Sequence, residues 1–208
     1  TLFPYVNTCR IYFSVTQRTS RSGQIRKINP AGVNIWNPAR NYGDIEFSMR
    51  RGRMVDTYFS DVTINSRGFL FALDTTRNRI FVYDNEGDFV FTFGGRGDQA
   101  GTFREPRIIE SFDDKIYVFD SAKGSITEFI PNEYGSIVLD AIEMFQDGRY
   151  LESKEMWENV LRRNSNNYLA YIGIGKALYQ TGDYEEAMKY HTLGGSKLQE
   201  SLAFSQHR

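Results

Sequence analysis

The chain of 208 residues holds one cysteine, Cys9, and two histidines, His191 and His207. A single thiol excludes an intrachain disulfide and a thiolate metal site. The histidines have no metal-ligand spacing to each other or to Cys9, and no Ser-His-Asp arrangement with a nucleophile elbow is present. No apolar run approaches the 18 or so residues of a membrane span, and no signal peptide is visible. The chain opens at Thr1 rather than at methionine, inside repeat-like sequence, which predicts a piece of a longer protein. Missing targeting signals therefore leave location open. With a net charge of −1, charge of either sign is not in excess, which disfavours a polyanion-binding protein as a whole.

The balance is uneven along the chain. Residues 1–53 carry nine basic side chains, Arg50, Arg51 and Arg53 among them, against Asp44 and Glu46, a surplus of seven positive charges. This reads first as solvated strand faces and loops, with an anionic partner as the alternative.

What is present divides into two periods. Residues 1–135 are rich in aromatic and β-branched residues, with turn residues every eight to twelve positions, the pattern of short antiparallel strands. Four strands are predicted over Asp61–Ile64, Gly68–Asp74, Arg79–Asp84 and Asp88–Phe93, with turns at Arg67-Gly68 and Asn85-Glu86-Gly87. A second set follows at Arg107–Glu110, Lys115–Asp120 and Ser125–Ile130, closed by a predicted turn over Asn132–Gly135. Leu73-Asp74 and Phe119-Asp120 stand 46 apart, as do Tyr83 and Phe129. Four strands in some 45 residues is the size of one propeller blade. A more divergent copy runs through Phe13–Thr16, Ile25–Ile28 and Val33–Trp36, and Asn37 to Asp56 reads as a basic insertion.

From Ser136 the period becomes about 3.6. Ile137, Leu139, Ile142, Met144 and Phe145 stripe one helix; Tyr150, Met156, Trp157, Val160 and Leu161 stripe a second, ended by Asn164-Ser165-Asn166-Asn167. A second pair is predicted from Tyr168 to Gln180 and from Tyr184 towards Leu193. Gly194-Gly195 interrupts it, and a further helix begins near Leu198. Gly148-Arg149-Tyr150 returns 34 residues later as Gly182-Asp183-Tyr184, with Ser153 matching Ala187. Such a period marks a helix-turn-helix unit that buries its apolar face by stacking on neighbours.

The β half resembles NHL repeats through Gly68-Phe69-Leu70-Phe71-Ala72-Leu73-Asp74, Arg77-Asn78-Arg79-Ile80, Asp84-Asn85-Glu86-Gly87, Phe93-Gly94 and Gly101-Thr102-Phe103-Arg104-Glu105-Pro106. The next copy matches at Ile116–Asp120 but carries Ile130–Gly135 where Asp-x-x-Gly is the pattern. The helical half is similar to tetratricopeptide repeats through Tyr171, Ile174, Gly175, Leu178 and Ala187, and through Ser153, Trp157 and Val160. It departs from them at Ser165 and His191, where proline and an aromatic are usual. The resemblance implies a β + α chain: a partial propeller of about three antiparallel blades over residues 1–135, then an α-helical hairpin array over residues 136–208. Open blade edges in such a partial ring imply self-association, or cover by the helices.

Candidate sites divide along the same line. Gly94-Gly95-Arg96-Gly97 with Gly101 lacks the Gly-Lys-Ser/Thr of a phosphate cradle and reads as an interblade loop; the tripeptide Arg96-Gly97-Asp98 reads as chance. Asp74 and Asp120 end equivalent strands, and repetition points to acceptance of backbone N–H groups rather than to metal or substrate. Asp113-Asp114 reads as a solvated turn, and His191 as a packing residue. Family geometry implies groove residues Asn167, Tyr168, Tyr171 and Lys176 on one side, with Glu143 and Gln146 on the other. Arg50, Arg51 and Arg53 are the candidates for an anionic partner.

The expected function is a non-enzymatic binding scaffold without cofactor, recognising protein or peptide through propeller loops and a helical groove. Two alternatives stand beside it: a propeller hydrolase, lactonase or carbohydrate-binding protein whose carboxylates converge from further blades, and RNA binding by a basic propeller face. The pairing of modules also resembles extracytoplasmic bacterial proteins carrying a membrane anchor.

Overall fold

A computed structural model describes residues 12–15, 25–36, 42–48, 53–196 and 202–206; of 12–15, 45–48 and 53–55 it gives the backbone course alone. The fold is mixed β + α, and the chain divides into two compact units, Thr1–Ile130 and Pro131–Arg208.

The first unit is built of antiparallel sheets. β1 (Tyr12–Val15) pairs with β2 (Ile25–Ile28), and β3 (Ile45–Ser48) pairs with β4 (Arg53–Asp56). β5 (Phe59–Ile64), β6 (Leu70–Asp74), β7 (Arg79–Tyr83) and β8 (Phe89–Gly94) form a four-stranded meander. β9 (Pro106–Phe112), β10 (Lys115–Asp120) and β11 (Ser125–Phe129) form a three-stranded one. The β3–β4 hairpin lies inside the segment read as an insertion, while Val33–Trp36 contributes one isolated bridge, Ile28 to Asn34, in place of a strand.

The turns recur as one design. Asn29 Oδ1 accepts from the amides of Ala31 and Val33, at 3.0 and 2.9 Å, and Asp84 Oδ1 accepts from those of Glu86 and Asp88, at 3.0 and 2.8 Å. Asn65 Oδ1 accepts from Phe69 N at 2.9 Å. In all three turns the amide of the glycine bonds back to the carbonyl of that Asn or Asp: Gly32 to Asn29, Gly68 to Asn65, Gly87 to Asp84. An Asx side chain offers the backbone a local acceptor, and a glycine with φ of +79 to +84° completes the reversal without strain. The β9–β10 hairpin differs. Asp113 and Asp114 both take positive φ, 47° and 62°, as a two-residue hairpin of the primed type requires.

Strands β6 and β7 are buried on both faces. Leu70, Ala72, Phe81 and Tyr83 pack with Ile25, Trp36, Tyr42 and Phe59 in one core. Rings meet edge-on in it: Phe59 and Phe81 at 5.5 Å, Tyr42 and Tyr83 at 5.3 Å. Lys27 is buried too; its ammonium donates to both oxygens of Asn85 and lies 5.9 Å from the centre of the Trp36 ring. The alternate residues Phe71, Leu73, Ile80 and Val82 form the opposite face, and none is more than 4% exposed. Sheet β9–β11 lies on that side. Asp61 Oδ2 accepts from Ile109 N at 3.0 Å, Ser111 Oγ donates to the Ile64 carbonyl at 2.6 Å, and Phe93 meets Phe129 at 5.0 Å. Full burial of such a side chain contributes about 1.5–3 kcal/mol, so the packed sheets dominate the stability of this unit.

The second unit is helical: α1 (Glu133–Gln146), α2 (Tyr150–Arg163), α3 (Tyr168–Thr181) and α4 (Tyr184–Leu193), with a helical turn at residues 202–206. Residues 132–135 are not the predicted turn. Asn132 is the N-cap of α1, its side chain accepting from Gly135 N, and Glu133 sits in the first turn, where a carboxylate favours the helix dipole. Gly182, at φ 88°, ends α3 in the left-handed conformation. Helices adjacent in sequence are packed against one another along the array.

Two glycines let α3 approach its neighbours. A Cβ on Gly173 would lie 2.3 Å from Trp157 Nε1 of α2, and one on Gly175 would lie 2.6 Å from the His191 ring of α4. Trp157 and His191, at 3% and 1% exposure, fill the space a side chain would take. Ser153, equally buried, donates from Oγ to the Ala141 carbonyl at 2.7 Å and so joins α2 to α1.

Candidate functional site

The strand-end aspartates Asp74 and Asp120 are both fully buried carboxyls. Asp120 closes β10 and accepts four backbone amides, from Arg104 at 2.7 Å and from Glu105, Ala122 and Lys123 at 3.1 Å each. Burial raises its affinity for a proton, yet these bonds to the charged form outweigh it and hold the carboxyl below its ordinary range. Asp74, at the equivalent place on β6, accepts from Thr76 N at 2.8 Å and Tyr58 N at 3.4 Å and pairs with Arg79 at 3.4 Å. Here burial prevails and pushes the carboxyl up. Both residues therefore stitch a strand end to the chain around it, as their recurrence suggests.

The glycine-rich segment folds on itself. Gly97 N donates to the Phe103 carbonyl at 3.0 Å and Phe103 N to that of Gly95 at 2.7 Å, while Asn78 holds the carbonyls of Phe103 and Arg104. Gly94, at φ 83°, sits where a Cβ would come within 2.8 Å of the buried Phe103 ring. Asp98, within the Arg96-Gly97-Asp98 tripeptide, is paired with Arg104.

In the helical unit Asn167 caps α3. Its Oδ1 accepts from Ala170 N at 3.1 Å, and its Nδ2 donates to Tyr134 Oη of α1 at 2.7 Å, so both ends of the amide are engaged. Tyr168 is 72% exposed at the first residue of the helix. Tyr171 donates to the Ser165 carbonyl at 3.1 Å and its ring lies 6.3 Å from that of Tyr190. Lys176 is half-buried and engaged within the fold. At 100° per residue, Tyr168 and Tyr171 lie about 60° apart around α3, whereas Tyr171 and Lys176 lie about 140° apart. The structure thus brings the two tyrosines onto one face and sets Lys176 away from Tyr171. Glu143 is half-buried and Gln146 exposed, both on α1. Arg50 and Arg51 lie outside the described residues, as do Cys9 and His207; Arg53 opens β4, its side chain undescribed.

One surface escaped sequence reasoning. The outward face of β9–β11 carries Ile108, Phe119 and Ile126 in a single cross-strand row, 53%, 37% and 67% exposed. Beside it runs the row Glu110, Tyr117 and Glu128, with Lys115 bonded to Glu128 at 3.0 Å. The signal was in the repeat comparison, where buried Phe71 and Val82 of the preceding sheet give way to Tyr117 and Glu128 at the same positions of the register. Among the described residues no group of three or more His, Cys, Asp or Glu could hold a metal ion, and no helix is long and apolar enough to cross a membrane.

Comparison with protein-family models finds none that matches this chain, and comparison with curated proteins finds no match.

Proposed function

We propose that this chain is a non-enzymatic binding scaffold in which NHL-type propeller blades are joined to tetratricopeptide-like helical hairpins. One observation carries the reading. The buried or capping polar groups at strand ends, turns and a helix start, namely Asp74, Asp84, Asp120 and Asn167, spend hydrogen bonds on backbone and neighbouring side chains. The side chains left outward on the helices include the aromatic Tyr168. The three Asx turns and two strand-end aspartates support a repeated β unit. The 34-residue recurrence, with α3 approached closely by α2 and α4, supports a stacked helical one.

A partner in this reading is a peptide segment lying along the Tyr168–Tyr171 face. Aromatic rings supply large contact area there at low entropic cost. The test is a displayed-peptide library selected on the 208-residue chain. Binders are expected whose affinity falls about tenfold or more in Tyr168→Ala, with the melting temperature unchanged. Selected binders indifferent to Tyr168→Ala, or turnover of a sugar lactone by the chain, would refute the reading.

A further inference from the structure

Asp74 and Asp120 hold equivalent strand ends but are solvated differently by the protein. Asp120 accepts four backbone amides at 2.7 to 3.1 Å. Asp74 accepts one short bond, from Thr76 N at 2.8 Å, and one long bond, from Tyr58 N at 3.4 Å. Its charge is met instead by Arg79, directly opposite in the β6–β7 register, with Nε at 3.4 Å. That guanidinium is shared. Its Nη2 lies 3.0 Å from the half-exposed carboxylate of Asp44, which leads into β3. One cation thus serves two carboxylates, of which only the buried one has lost its water, and such a carboxyl is the first of the two to take up a proton. At the equivalent corner of the three-stranded sheet, Ser125 stands opposite Asp120 in place of Arg79.

Asp44 is also where the β3–β4 hairpin meets the four-stranded sheet. Asp44 N donates to Thr57 Oγ1 at 2.9 Å and Thr57 N to the Asp44 carbonyl at 3.1 Å, which closes the base of the hairpin. Gly43 N donates to Tyr83 Oη at 2.9 Å, and Thr76 Oγ1 to the Asp56 carbonyl at 3.4 Å. The Tyr83 hydroxyl, pushed up by burial and by Asp44, Tyr42 and Asp74 around it, stays neutral. Asp56, closing β4, and Arg77, in the β6–β7 turn, flank the corner in the chain. We propose that Asp74, Arg79 and Asp44 form a proton-controlled latch on the base of the β3–β4 hairpin. With Asp74 ionised, the two carboxylates repel each other across a single guanidinium. A proton on Asp74 removes that repulsion and leaves Arg79 to Asp44 alone. The hairpin base is therefore held more firmly in mild acid and loosened as pH rises.

Amide hydrogen exchange of the 208-residue chain tests the latch, read by NMR as protection of Gly43, Asp44 and Thr57 relative to their intrinsic rates. The range runs from about pH 8 to about pH 4.5, which stays above the ordinary aspartate value of about 3.9. Protection of these three amides is expected to rise about two- to fivefold towards acid, the size of one partly exposed ion pair. Asp74→Asn is expected to fix it at the acid level throughout. Asp44→Asn, at a half-exposed position, is expected to lower it and to abolish its pH dependence. The acid gain of the Leu73 and Ile80 amides, which reports the whole sheet, is expected to persist in Asp44→Asn. Should Asp74→Asn fail to unfold cooperatively, Asp44→Asn decides alone. Hairpin-base protection independent of pH in the parent chain, or a pH dependence that survives Asp44→Asn, overturns the proposal.

Discussion

Replacing Gly173 by alanine separates two opposed effects in one methyl group. In an unobstructed helix interior the change stabilises by about 1 kcal/mol, because alanine loses less backbone entropy. At Gly173 the new Cβ would stand 2.3 to 2.7 Å from three atoms of the Trp157 ring, which is 3% exposed and has nowhere to retreat. Overpacking of a filled core costs typically about 1–3 kcal/mol, and contacts this short lie at or above the upper end of that range. The net expectation is destabilisation by about 1–2 kcal/mol or more. For a unit of this size that lowers the melting temperature by several degrees, roughly 4–8 °C per kcal/mol. Thermal unfolding followed by helical circular dichroism at 222 nm reads it. Two comparisons isolate the cause. Gly135→Ala, whose Cβ would meet nothing closer than Asn132 Oδ1 at 3.3 Å, is expected to be neutral or stabilising. Trp157→Leu is expected to make Gly173→Ala tolerable, giving a favourable coupling in the double-mutant cycle. Gly173→Ala as stable as the parent, or no coupling to Trp157, would refute the claim that close approach of α2 and α3 dictates this glycine.

The two strand-end aspartates predict opposite pH behaviour in denaturant titrations. Asp120, held down in the fold, contributes stability present above the unfolded carboxyl range and lost as pH falls through its folded value, so Asp120→Asn should cost about 2 kcal/mol at neutral pH and flatten the acid limb. Asp74, pushed up, costs stability when ionised, and the fold gains as pH falls through the folded value; Asp74→Asn should remove that gain and cost less at neutral pH than Asp120→Asn. Tyr134→Phe deletes the acceptor for Asn167 Nδ2 and should cost about 0.5–1.5 kcal/mol in helix unfolding. Gly94→Ala combines a φ of 83° with a blocked Cβ beside Phe103 and should lower the melting temperature of the β unit more than Gly68→Ala, which shares the positive φ in open space.

Much of the fold was legible because turns and periods are local. The Asx-to-glycine turns at Asn65 and Asp84 bound β6 and β7 to within a residue or two, since a left-handed glycine and a short polar acceptor have few other uses. The β3–β4 hairpin was missed because residues 37–56 read as charged and irregular. Its pairing of Ile45 with Asp56 is set by chain partners that no short window contains. Asn132–Gly135 misled for a physical reason: proline, asparagine and glycine open helices and make turns with the same chemistry, and Ser136 N bonding to the Asn132 carbonyl at 2.8 Å decides between them. Of the candidate groove, Asn167 read as part of the polar cluster that ends α2, and its engagement with Tyr134 was not legible because that partner lies 33 residues away. The outward face of β9–β11 was hidden for a related reason, as strand alternation marks two faces but not which one is covered.

The Asx turns at Asn29, Asn65 and Asp84 draw all their bonds from within four residues. Their consequence concerns the order of events when the chain folds. A reversal that needs no distant partner closes on the microsecond scale of a hairpin, so β5 to β8 can form as a meander before any sheet meets another. Stacking, which joins Asp61 to Ile109 across 48 residues, must then follow and set the overall rate. Substitutions in these turns should therefore leave their mark on the folding limb of the kinetics only if hairpin closure is part of the nucleus; otherwise they will speed unfolding alone.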